Sequence, residues 1–100
     1  RVIGAEGTVH GALGCELERI TSGAVVRSSE RCWASTQFSG ARHRYVIGFE
    51  RRQVLPDLDD LDEREFALSG HIVADIALVA RSWRETGCHV MIEALTVSDR

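Results

Sequence analysis

The stretch His71-Ile72-Val73-Ala74-Asp75-Ile76-Ala77-Leu78-Val79-Ala80 decides the fold. Ile72, Ala74, Ile76, Leu78 and Ala80 are all apolar, and of the interleaved set Val73, Asp75, Ala77 and Val79 only the aspartate is not. Apolar residues at period two mark a β-strand, and a strand apolar on both sides expects cover on both faces of its sheet. A turn through Glu85-Thr86-Gly87 leads to a second alternating run, Cys88 to Val97. Pairing the two as a hairpin with Leu78 opposite Ile92 sets Ile76 opposite Ala94 and Ala80 opposite Val90. One side is then wholly apolar, with Asp75 and Glu93 on the other.

Working outward, Thr8 to Ile20 places Val9, Leu13, Leu17 and Ile20 at helical spacing, which predicts a helix weakened by Gly11 and Gly14. Ser22-Gly23 predicts its end, with glycine in the left-handed conformation. Ala24 to Ser39 suits a strand with a bulge at Ser28-Ser29-Glu30, and Gly40-Ala41 predicts the turn to a strand over Arg42 to Glu50. Val54, Leu58 and Leu61 define the apolar face of a second short helix whose start is blurred by Pro56. The order is αββαββ. It predicts an α+β fold, a four-stranded antiparallel sheet with two helices on one face in the manner of a ferredoxin-like two-layer sandwich. The 100 residues form a single domain, because one core at this size uses most of the apolar side chains present.

Charge narrows the classes of partner. The net charge is −3, and the six acids and one arginine between Asp57 and Glu65 account for −5, leaving +2 elsewhere. No strongly basic surface is expected, and with it no nucleic-acid partner. No apolar run approaches the roughly 18 residues of a membrane span, and no signal peptide is visible. Cys15, Cys32 and Cys88 are an odd, widely spaced set, which points away from a disulfide framework and toward a reducing cytoplasm. The chain begins with Arg1 rather than methionine, so the expectation is a native start that lies upstream or was removed.

Three strings stand out: Trp33 to Arg44 (WASTQFSGARHR), Gly70 to Asp75 (GHIVAD) and Glu93 to Val97 (EALTV). On these the chain resembles short uncharacterised bacterial proteins that carry similar strings. The resemblance implies an α+β domain of unassigned function and no catalytic role.

The triplet Arg42-His43-Arg44, with Trp33 and His71, forms the candidate ligand site, because arginine forks hold carboxylate or phosphate in paired hydrogen bonds. The rival is a solvated strand end. His71 and Asp75 lie four residues apart on one strand, too far to touch, whereas His43 with Asp75 or Glu93 across neighbouring strands would make a general base. No nucleophile accompanies it. No metal site is expected: there is no Cys-x-x-Cys pair, adjacent Cys88 and His89 point to opposite faces, and the acidic run has Leu61 and Leu68 where a calcium loop needs oxygen ligands. Gly4, Gly7, Gly11 and Gly14 lack the Lys-Ser/Thr of a phosphate loop, and no cofactor is implied. The expectation is a non-enzymatic module that self-associates as a homo-oligomer through Val73, Asp75, Ala77, Val79, Met91, Glu93 and Leu95. The alternative is a small ligand-binding protein or enzyme with an anion site near Arg42 and His43.

Overall fold

Thr8 starts the helix. Its hydroxyl accepts the Gly11 amide at 3.0 Å, satisfying one of the amides that have no partner within the first turn. The computed structural model describes residues 8–98, and α1 runs over Val9–Thr21. Leu13 and Leu17 are fully buried beneath it, as their spacing predicts. The helix ends on Ser22, whose φ of 62° is left-handed and whose amide bonds the Glu18 carbonyl. Gly23 serves differently from its predicted role. The chain leaves α1 so close to the sheet that a Cβ there would clash with Ile47 and lie 2.8 Å from the Phe49 ring.

Four antiparallel strands follow, β1 (Ala24–Ala34), β2 (Ser39–Glu50), β3 (His71–Arg84) and β4 (Gly87–Ser98), in the sheet order β1-β2-β4-β3. The molecule is therefore a small α+β fold on an open sheet, without the ferredoxin-like order. Leu78 pairs with Ile92 and Ile76 with Ala94, as the hairpin pattern predicts, but Ala80 pairs with Met91 rather than Val90. Extra residues at Ala74 and Val79 bulge out of β3 and shift the register on either side of Asp75–Leu78. The β1 bulge falls at Val26, not Ser28-Ser29-Glu30. There the Glu18 carboxylate accepts the Val25 amide at 2.8 Å. The β1–β2 turn lies at Ser35–Phe38, closed by the Ser35 amide donating to the Phe38 carbonyl at 2.7 Å, so Gly40 and Ala41 belong to β2.

The second helix is absent among the described residues; only one 3-10 turn forms, Leu61–Glu63. The window is short, Pro56 interrupts it, and aspartate side chains compete with the helix for backbone amides. Asp57 shows that competition directly, its carboxylate accepting the Asp59 amide at 3.0 Å. Leu58 and Leu61 are nevertheless buried, so the loop between β2 and β3 covers the sheet where a helix was predicted, while Val54 is 91 % exposed.

The core is one layer deep. Tyr45, Ile47 and Phe49 of β2, Cys88, Val90, Ile92 and Ala94 of β4 and Ile76 of β3 are buried against α1 and the Leu58–Leu68 loop. No described element lies on the opposite sheet face. No described helix is long and apolar enough to cross a membrane. Gly4 and Gly7 lie outside the described residues.

Candidate functional site

Side chains alternate along a strand, so neighbours in sequence part company in space. Directly opposed residues share a face, and the registers therefore sort each candidate. Arg42, opposite Leu95, and Arg44, opposite Glu93, belong to the open face, as does Trp33, opposite Gly40. His43, between Glu30 and Ala94, belongs to the helix-covered face and is 2 % exposed. His71 precedes Val73, which stands opposite the buried Thr96, and shares that side; its Nδ1 lies 3.1 Å from the Ser69 carbonyl. The five predicted ligand residues thus make two groups on opposite faces rather than one site. The same division separates His43 from Asp75 and Glu93 and removes the predicted dyad.

On the open face the registers define cross-sheet rows. One row reads Arg31, Arg42, Leu95, Asp75; the next reads Ser29, Arg44, Glu93, Ala77; a third reads Arg27, Val46, Met91, Ala80. Five predicted interface residues, Asp75, Ala77, Met91, Glu93 and Leu95, lie in these rows. Val79 is the bulged residue beside them, 48 % exposed. Val73 is corrected: the bulge at Ala74 puts it on the core side, where it packs against the core cluster. Between the rows runs a groove of about 500 Å³ lined by Arg31, Arg42, Arg44, Asp75, Glu93 and Leu95, among others. Arg44 Nε donates to Glu93 Oε2 at 2.7 Å. Arg31 and Arg42 stand directly opposite each other, a like-charge pair that costs stability unless an anion lies between or above them. Neither has an ion-pair partner among the described residues. The Trp33 indole nitrogen is buried and lacks a hydrogen-bond acceptor among the described residues.

The helix-covered face holds an aromatic and polar cluster that sequence reasoning missed. His10 is the second residue of α1, and His10, Gly14, Leu17 and Thr21 recur on one helical face. Gly14 lets that face lie on the Tyr45 ring, since a Cβ would stand 3.2 Å from Tyr45 Cε1. Tyr45 donates its hydroxyl to the His10 carbonyl at 2.7 Å, and the two rings stack at 4.7 Å with 14° between planes. His10 Nδ1 and His43 Nδ1 are 2.8 Å apart. Their ring centroids are 5.1 Å apart at 15°, which places the two nitrogens edge to edge on the line between the rings.

Each histidine anchors its outer nitrogen on a hydroxyl, His10 Nε2 at 3.0 Å from Ser28 Oγ and His43 Nε2 at 2.8 Å from Thr96 Oγ1. The Thr96 hydroxyl points to the Ala41 carbonyl at 3.4 Å. It therefore accepts from His43, which leaves the His43 Nδ1 lone pair to accept from His10 Nδ1–H and makes Ser28 the donor to His10 Nε2. The result is one directed chain of four hydrogen bonds from Ser28 to Ala41. Burial, reinforced by the neighbouring His10, holds His43 below its ordinary pKa of 6.5, with Glu30 pulling the other way. Burial likewise raises the Tyr45 phenol. Glu30, opposite His43 in the register, brings a carboxylate to the open end, and donor atoms of His10, Glu30 and His43 lie within 4.8 Å of one another.

The signals for these residues were present but displaced. Assigning the turn to Gly40-Ala41 hid the pairing of Arg31 with Arg42 and of Glu30 with His43, and His10 falls on a helical face otherwise marked by glycine. No protein-family model, curated protein or solved structure matches this chain.

Proposed function

We propose that the protein is a non-enzymatic assembly module that forms a homodimer through its open sheet face. The observation that supports this reading is the order of charge across the rows. Arg27, Arg31, Arg42 and Arg44 occupy the β1–β2 half, while Asp75 and Glu93 occupy the β3–β4 half. A twofold axis parallel to the strands lays each half of one copy over the opposite half of the other. It maps every row onto itself, setting Arg31 over Asp75 and Arg44 over Glu93 of the second copy. A twofold axis across the strands would instead set arginine over arginine. The face is thus charge-complementary to itself in one arrangement and repulsive in the other.

Apolar side chains supply the attraction that surface charges do not. Met91, Leu95 and Val79 lie within the β3–β4 half, and Val46 of β2, 6 % exposed, stands opposite Met91. From two copies, at up to about 1.5–3 kcal/mol for a side chain that passes from exposed to fully buried, Val79, Met91 and Leu95 contribute toward an association cost of roughly 4–15 kcal/mol. A dimer also supplies the Asp75 carboxylate of the second copy to Arg31.

Charge exchange tests the arrangement. Arg31→Asp and Asp75→Arg should each shift the dimer to monomers in light scattering, and the double variant should restore it. Double-variant monomers, or single variants as dimeric as the wild type, would refute it. The paired arginines also support a second reading, a small anionic ligand in the groove. It predicts that a dicarboxylate or phosphate ester raises the melting temperature of a monomeric protein and that Arg42→Ala removes the rise.

A further inference from the structure

We infer that His10, His43 and Glu30 form a binding site for one divalent transition-metal ion of the zinc, cobalt or nickel class. The site lies on the helix-covered face, away from the proposed dimer contact, and stands or falls independently of it.

The donor set decides the class. Two imidazole nitrogens and a carboxylate suit borderline ions, whereas magnesium and calcium select all-oxygen sites. The arrangement of the outer nitrogens is the stronger argument. Metal-bound histidines characteristically give their second ring nitrogen to a hydrogen-bond acceptor, which fixes tautomer and ring orientation. Here His43 already does, its Nε2–H donating to Thr96 Oγ1, and His10 Nε2 lies 3.0 Å from Ser28 Oγ, a hydroxyl that accepts once that nitrogen carries the proton. The inner Nδ1 atoms of both rings face each other at 2.8 Å, and a Glu30 carboxylate oxygen lies within 4.8 Å of donor atoms of both rings.

Loading the site requires the rings to turn as well as to part, since their Nδ1 atoms meet head-on without the ion. At zinc–nitrogen distances of about 2.0–2.1 Å in tetrahedral geometry, the two nitrogens stand roughly 3.3 Å apart, against 2.8 Å in the metal-free hydrogen bond. His10 is the ring that yields, since it is half-buried while His43 is enclosed; the Tyr45 hydroxyl, donating to the His10 carbonyl, keeps the His10 backbone in place as the ring turns. His10 switches tautomer: the proton leaves Nδ1 and Nε2 carries one instead, so no net proton is lost and Ser28 turns from donor to acceptor. Glu30 is exposed, so it reaches the ion from the solvent side and leaves a fourth position for water.

The test is calorimetric titration of tag-free protein with zinc chloride, with cobalt absorption as a second readout and magnesium as the control. The expected result is one zinc per chain, a tetrahedral cobalt spectrum, and no magnesium binding. Affinity should fall at least roughly tenfold in both His10→Gln and Glu30→Gln, substitutions at partly or fully exposed positions whose circular dichroism should match the wild type. No zinc binding by the wild type would overturn the inference, as would undiminished binding by His10→Gln or equal binding of magnesium.

Discussion

Thr96→Val isolates the hydrogen-bond chain that ties α1 to the sheet. The substitution keeps side-chain shape and removes one hydroxyl from a residue that is 0 % exposed, so no cavity opens and the loss is polar. His43 Nε2–H, 2.8 Å from that hydroxyl, is left without an acceptor in a site only 2 % exposed. Moving the proton to Nδ1 gives no relief. It requires His10 to switch tautomer as well, with Ser28 then accepting, and still leaves the buried His43 Nε2 unpaired. Orphaning a buried group costs about 1–3 kcal/mol, and a domain of this size loses roughly 4–8 °C of melting temperature per kcal/mol. Urea unfolding with a chelator present should show the cost as a lower midpoint at unchanged slope. The double variant His43→Leu/Thr96→Val removes donor and acceptor together, so its loss should be smaller than the sum of the single losses by about 0.5–3 kcal/mol. A Thr96→Val protein within about 0.5 kcal/mol of the wild type, or strictly additive losses, would refute the chain.

Three further outcomes follow from the same geometry. Gly40→Ala should destabilise by about 1–3 kcal/mol, because a Cβ would run into the Thr96 carbonyl of the adjacent strand; a neutral thermal melt would contradict the β2–β4 register. Leu61→Ala should cost about 2–5 kcal/mol and Val54→Ala less than about 0.5 kcal/mol in urea titrations, the reverse of what membership in one helical face requires. Stability should also fall with acidity through His43. Its folded pKa lies below 6.5, so under that pH the unfolded chain binds a proton that the folded chain refuses. The contribution is complete above 6.5 and is lost as pH falls from there toward the folded value; His43→Gln should flatten that part of the unfolding-midpoint profile.

Much of the sheet was legible because it rests on local alternation. The run through Ile76 and Leu78 fixes the central β3–β4 pairing by burial alone. The bulges at Ala74 and Val79 were not legible, since both residues are apolar and suit either face; only the long-range register shows that Val73 turns inward. The second helix failed for a readable reason, four aspartates and a proline in a short window, outweighed by the spacing of Val54, Leu58 and Leu61. The candidate site suffered most from treating Arg42-His43-Arg44 as a unit. Alternation alone would have divided it, giving the arginines to the open face and the histidine to the interior, where its partners come from a helix 33 residues earlier and a strand 53 residues later.

The central claim is that two copies meet through their open faces, and isotope-filtered NOE spectroscopy on a mixture of labelled and unlabelled protein tests it most directly. The account predicts cross-peaks between copies from the methyl groups of Met91, Leu95 and Val79. Protons of β1 and β2 of the second copy should also contact β3 and β4 of the first. Cross-peaks confined to α1 or the Leu58–Leu68 loop, or none at concentrations where light scattering gives a monomer, would contradict it.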